Sequence, residues 1–190
     1  MQDFLEKAIE LEALKFGSFK LKSGIDSNYF FNISAFFDSE SLSFLAECYV
    51  SEIIKLELDF NLFFGPAYKG IPLASAVAIK YFEITNKKIP IAFDRKEEKL
   101  HGEGGLIMGD IKNKKVLLID DVLTAGTAIK NSIEVIEKNG ASFIGALVAL
   151  DREEKYDSDK SYKEFYKHQG INIYSPVSYT HLRAHETSQH

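Results

Sequence analysis

With 190 residues, 45% of them hydrophobic and 27% charged, the chain can bury one core of ordinary size, which excludes an intrinsically disordered segment. A formal net charge of −5 argues against a basic nucleic-acid-binding surface, yet local cations can still hold a small anion. The lone cysteine, Cys48, excludes an internal disulfide framework and a multi-cysteine metal site.

The first 16 residues are acidic and amphipathic, with Phe4, Leu5, Ala8 and Ile9 at helical spacing, and predict a helix over 2–16. They lack the basic and apolar regions of a secretory leader, and no run in the sequence approaches a bilayer span. The expected setting is the cytoplasm, without membrane or nucleic-acid partners. Two short strands are predicted at 17–21 and 29–33 around a polar turn. A helix around 41–57 places Cys48 among helically spaced apolar residues, as a packing residue and not a nucleophile. Strands at 61–64, 89–93, 115–119 and 143–150 then alternate with helices at 71–82 and 125–139. The strands at 115–119 and 143–150 are apolar at successive positions, as strands covered on both faces are, so the fold class is α/β with a mostly parallel sheet flanked by helices. Between them, 94–110 is a charged loop, and 171–175 reads as a last strand. The closing residues 177–190 lack an apolar period. His181 and His185 stand four apart there, but HETSQH is not the HExxH spacing and no third ligand is evident, so the segment reads as a foreign or aberrant tail. The remainder, 1–176, is expected to be a single domain with an N-terminal hood over about 1–38 and a core over 39–176.

The chemistry concentrates at strand ends. In VLLIDDVLTAGTA (116–128) an apolar strand runs into Asp120 and Asp121, then a loop with Thr124, Gly126 and Thr127, then a helix. In parallel sheets, ligands bind beyond the carboxyl ends of strands, and a helix N-terminus suits phosphate. Two carboxylates beside a phosphate make sense if they accept hydrogen bonds from sugar hydroxyls. A Mg²⁺-holding acid pair of a receiver domain is the competing reading, although a receiver carries that pair near its start and no glycine–threonine loop after it. FDRKEEKLHGEGG (93–105) groups Arg95, Lys96, Lys99 and His101 before three glycines. It reads either as a solvated loop or as a mobile cationic lid. FGPAYKGIPLA (64–74) carries Tyr68 and Lys69 at a strand end and, taken alone, is equally a plain strand-to-helix turn.

Together these segments resemble the type I phosphoribosyltransferases, and among them the orotate phosphoribosyltransferases, through five motifs in the family's order over about 14–155. The resemblance implies the type I phosphoribosyltransferase fold. It implies phosphoribosyl pyrophosphate binding by Lys22, Tyr68, Lys69, Arg95, Lys96, Lys99, His101 and the run Asp120, Asp121, Val122, Leu123, Thr124, Ala125, Gly126, Thr127 and Ala128. The catalytic set within these is Lys69, Arg95, Lys96, Lys99, His101, Asp120 and Asp121. Orotate is expected against Phe30, Phe31, Thr124 and Arg152, the last offering a planar fork to the carboxylate. The resemblance further implies Mg²⁺ bound mainly through substrate and a homodimer sharing the lid loop. Leu100 departs from the acid common in the family's lid, and the resemblance ends at the last fourteen residues. A phosphoribosyltransferase for another base is the nearest alternative, but lacks the FDRKEEKLHGEGG loop with the YFF hairpin. A phosphoribosyl-pyrophosphate-sensing regulator of RNA or DNA would show a basic face or helix-turn-helix, and neither is visible.

Overall fold

The computed structural model describes residues 2–21, 24, 26–99 and 105–188. Its chain begins with α1 (Gln2–Glu10), β1 (Leu14–Lys20) and β2 (Asp26–Phe31), followed by a 3₁₀ turn (Ile33–Phe36). The predicted first helix is therefore too long. It stops at Glu10, Glu12 takes a left-handed conformation, and Leu14–Lys20 pairs antiparallel with β2 instead. Helical spacing alone could not anticipate that long-range pairing, which buries Leu14 and Phe31 together with α1. The resulting two-stranded ribbon and α1 form the N-terminal hood.

Next come α2 (Ser39–Leu56), β3 (Leu62–Gly65), α3 (Gly70–Thr85), β4 (Ile91–Lys99), β5 (Gly105–Met108), β6 (Lys115–Leu123), α4 (Thr127–Lys138), β7 (Ser142–Asp151), α5 (Tyr162–His168), β8 (Ile173–Tyr174), β9 (Val177–Ser178) and α6 (Tyr179–Ser188). The Asp38 side chain caps α2 by accepting from the Glu40 and Ser41 amides, which stops the helix from extending backwards. The main sheet runs β5-β4-β3-β6-β7-β8, with β9 also on β7; β5 alone is antiparallel. This is the mostly parallel α/β sheet that the unbroken apolar strands predict.

Alternate residues of those strands enter opposite cores. Phe63, Leu117, Ile119, Leu147 and Ala149 pack on the side of α1, α2 and α3. Phe64, Leu118, Ala146 and Val148 pack with Ile129, Ile133 and Ile136 of α4 and Tyr166 of α5. Both faces are covered by packed side chains, so the parallel strands can be apolar at successive positions.

Two other expectations change. The stretch 94–110, read as a loop, continues β4 and returns as β5, pairing Asp94 with Ile107 and Lys99 with Gly105 across an irregular register. Backbone ladder bonds at a sheet edge need no buried side chains, so a charged sequence can make them. The helix predicted at 125–139 begins at Thr127, because Gly126 before it is left-handed (φ 72°).

The closing segment, expected as a foreign or aberrant tail, packs onto the domain over its described residues 177–188. Val177 pairs beside Leu150 on β7, and Val177 and Leu182 are both fully buried in the core under α1 and α2. Two apolar residues five apart leave no period to read in a polar segment. The packing partners lie far away in sequence.

Candidate active site

Three parallel strands, β3, β6 and β7, end side by side, and their ends carry the predicted chemistry. At the end of β3, the loop 66–69 turns back sharply. A Cβ on Gly65 would collide with the Gly70 carbonyl, and one on Gly70 would collide with Pro66 and stand 3.0 Å from the Ile119 carbonyl oxygen. Both positions therefore need glycine for the loop to close against β6. The Ala67–Tyr68 peptide is cis. The Ala67 amide donates to the Asp94 carboxylate at 2.5 Å, fixing the loop to β4. This orients Lys69, whose Nζ lies 3.2 Å from Asp121 Oδ2 across the sheet edge.

At the end of β6, Asp120 is almost fully buried and Asp121 is partly exposed. Each carboxylate turns onto the chain that follows: Asp120 Oδ1 accepts from the Asp121 amide, and Asp121 Oδ1 from the Val122 amide, both at 2.9 Å. Beneath them the fully buried Tyr49 hydroxyl donates to the Asp120 carbonyl at 2.7 Å. Burial first, and the neighbouring Asp121 charge second, push the Asp120 carboxyl up to about 7. At neutral pH this carboxyl can therefore either accept from or donate to a ligand hydroxyl.

Past the acids, Thr124, Thr127 and Ala128 are exposed, and Gly126 caps α4 without any side-chain bond to the helix. The helix N-terminus thus faces outward with its dipole and first amides available to an anion. Leu123, in contrast, is buried in the α4–α5 core, so only its backbone can serve a ligand. Its carbonyl accepts from the Arg152 amide at 3.1 Å, joining the β6 loop to the end of β7.

Arg152 and Ala125 both line a cavity of about 1340 Å³ between the hood and the sheet edge, together with Tyr29, Ser175, Ser178 and His181. Lys69, Asp120 and Asp121 do not line it; they form an adjoining group at the ends of β3 and β6. The arginine carbon Cζ stands 4.6 Å from the centre of the Tyr29 ring, a cation–π contact that holds the guanidinium over the hairpin.

Phe30 and Phe31, expected as an aromatic wall for orotate, take opposite sides of the hairpin. Successive strand residues face opposite sides. Phe31 is in the core with Phe4, ring centroids 6.4 Å apart, while Phe30 is exposed beside Phe19 at 5.7 Å. The ring beneath the cavity's arginine is Tyr29. Tyr68 is exposed next to Lys69, and Arg95 is half-buried on β4. Lys22 and His101 lie outside the described residues. Lys96 and Lys99 have their backbone on β4, and their side chains lie outside what is described.

Comparison with known proteins decides the family. Residues 39–183 match the phosphoribosyl transferase domain model. An orotate phosphoribosyltransferase of Enterobacter sp. is 42% identical over 185 residues, covering 97% of this chain and 87% of the relative. The chain belongs to the orotate phosphoribosyltransferase family. A family member from Kluyveromyces lactis is 51% identical over 162 residues, covering 83% of this chain and 72% of its own. The crystal structure of orotate phosphoribosyltransferase from Francisella tularensis superposes with a TM-score of 0.87 at 39% identity, covering 98% of this chain and 90% of that one. The type I phosphoribosyltransferase fold implied by the motifs is thus the fold of this chain.

Two supporting residues, Tyr49 and Asp94, carry no mark in the sequence. Tyr29 belongs to the YFF hairpin motif, and strand alternation is the signal that separates its side from that of Phe30. Tyr49 reads only as one more helical apolar position. Asp94 reads as the first residue of a charged run, and nothing local indicates its bond to Ala67.

Proposed function

We propose that the protein transfers the ribose-5-phosphate of phosphoribosyl pyrophosphate to N1 of orotate, giving orotidine 5′-phosphate and pyrophosphate in pyrimidine nucleotide synthesis. The observation that carries this reading is the Asp120–Asp121 pair beside Lys69, at the sheet edge that also supplies an uncapped helix N-terminus and Arg152.

Breaking the bond from C1 to the diphosphate builds positive charge on the ribose ring and negative charge on the leaving group. Transfer to orotate inverts C1. Catalysis is then electrostatic, and groups must stand where charge develops. Lys69 is assigned to the diphosphate, and Arg95, Lys96, Lys99 and His101 to the same charge. Lys22 and Tyr68 belong to the same binding set. Asp120 and Asp121 accept from the ribose hydroxyls and favour the cationic ring. Residues 122–128 offer amides and the Thr124 and Thr127 hydroxyls to the 5′-phosphate. No covalent nucleophile is needed.

Mg²⁺ would supply further neutralisation of the diphosphate. Substrate oxygens would provide most of its ligands, since Mg²⁺ is held by oxygen donors and favours substrate phosphates. The reading extends to a cytoplasmic homodimer; among the described residues no helix is long and apolar enough to cross a membrane.

The direct test mixes the protein with orotate, Mg²⁺ and phosphoribosyl pyrophosphate and follows the fall in ultraviolet absorbance of orotate. No fall with orotate, and turnover with a purine base instead, would overturn the reading. Arg152→Ala is expected to raise the KM for orotate by about tenfold to a hundredfold, the effect of losing one charge-assisted bond of about 1.5–3 kcal/mol. A variant that still distinguishes orotate from uracil as the parent does removes Arg152 from base recognition.

A further inference from the structure

Tyr166 lies on α5, 41 residues beyond the loop that follows the paired aspartates, yet it touches that loop twice. Its hydroxyl donates to the Ala125 carbonyl at 3.0 Å. Its ring fills the space next to Gly126, where a Cβ would lie 2.9 Å from ring Cζ and closer still to Cε2. Gly126 is the left-handed residue that starts α4, and its own carbonyl receives the first-turn bond from Lys130 at 3.0 Å. The two carbonyls that set the direction of the turn are thus fixed from different sides, one by α4 itself and one by Tyr166.

The side chain that does this is itself held firmly. Tyr166 is buried, and its ring meets Phe165 edge-on with centroids 5.4 Å apart. Its carbonyl accepts from the amides of Gln169 and Ile171 at 2.9 and 3.0 Å. At the other end of α5, Ser161 and Glu164 form a reciprocal capping box. A short helix that is capped at its start and tied at its end to the turn leading into β8 makes a rigid support for a distant loop.

We infer that Tyr166 is a positioning residue for the donor: by bracing Ala125 and Gly126 it holds the α4 N-terminus where the phosphate of phosphoribosyl pyrophosphate binds. The inference rests on the proposed function of that loop. Tyr166 touches no substrate in this role. It acts through the backbone, and it should affect the donor and not the base.

Tyr166→Phe keeps the ring against Gly126 and removes only the hydroxyl. The variant is expected to raise the KM for phosphoribosyl pyrophosphate about threefold to tenfold, the usual effect of one neutral hydrogen bond. Its kcat and its KM for orotate should stay at the parent's values, while the thermal midpoint falls by only a few degrees, as one lost internal hydrogen bond requires. A parent-like KM for the donor overturns the inference, whether or not the midpoint falls. So does an equal rise in both KM values, since that marks a general disturbance of the site. If the parent itself fails to consume orotate, the proposed function fails separately. Calorimetric titration of phosphoribosyl pyrophosphate into parent and variant then decides the bracing role: weaker binding by the variant upholds it and equal affinity overturns it.

Discussion

Replacing Asp120 and Asp121 together by asparagine is expected to lower kcat/KM for phosphoribosyl pyrophosphate by about a hundredfold to ten-thousandfold. The estimate takes two charge-assisted hydrogen bonds to ribose hydroxyls, each contributing about 1.5–3 kcal/mol. Asparagine keeps the shape and an acceptor oxygen, so the amide bonds from Asp121 and Val122 onto these side chains can survive. What disappears is charge: the partner of Lys69 and the groups that favour a cationic ribose. Steady-state kinetics with varied donor check this. A double variant with parental affinity and turnover would remove the pair from sugar recognition.

The single variant Asp120→Asn makes a second measurement possible, in which stability moves opposite to activity. Burial raises the folded-state carboxyl from 3.8 to about 7. The folded protein therefore binds this proton more tightly than the unfolded chain does. Below about pH 4 both states hold the proton and the group costs nothing. As pH rises from there through 7, the folded state is penalised, by an amount on the order of a few kcal/mol once both states are ionised. Asparagine carries no such penalty. The thermal midpoint of Asp120→Asn relative to the parent should therefore increase between pH 4 and pH 8. A difference that stays flat over that range would show that Lys69 and the Asp121 amide already compensate the buried charge.

Residues placed against buried charge in this way are unfavourable for folding, and the sequence shows them plainly, because two acids directly after four aliphatic residues have no packing reason to be there. The same logic made β6 and β7 readable: Leu117, Leu118, Ile119 and Leu147 to Leu150 are buried on both faces, and continuous apolarity has few other causes. Legibility failed where a partner far along the chain sets the conformation. Leu14 and Phe16 fit a helical period until β2 offers them a strand partner, and Asp94 fits a solvated run until Ala67 is placed beside it. Phe30 and Phe31 make a finer point. The motif marks the hairpin, but strand alternation, which the motif does not display, sends one ring to solvent and the other to the core and sets Tyr29 under Arg152. Motifs locate the backbone of a site more dependably than they assign its side chains, because loops approach ligands through amides and carbonyls that any residue carries.

The segment after Pro176 provides the sharpest contrast between pattern and packing. Its polar sequence, without an apolar period, suggests that truncation costs nothing. In the structure β9 extends the β7 edge at Leu150 and Asp151, and the Glu153 carboxylate accepts from both the Thr180 amide (2.9 Å) and the Thr180 hydroxyl (2.7 Å). Val177 and Leu182 are buried in the main core. Fully burying such side chains contributes about 1.5–3 kcal/mol each, a large share of the roughly 5–15 kcal/mol that stabilises a domain. Truncation after Pro176 is therefore expected to lower the thermal midpoint by on the order of 10 °C. Leu182→Ala in the full chain isolates the packing contribution, with an expected loss of about 2–5 kcal/mol in denaturant unfolding. A truncated chain that melts with the parent, together with a neutral Leu182→Ala, would mean that the segment rests on the domain without stabilising it. A truncated chain that melts early while Leu182→Ala stays neutral would instead assign the loss to the β9 ladder and the Glu153–Thr180 bonds. Those bonds border the cavity that holds Arg152, so in that case the KM for orotate should rise along with the loss of stability.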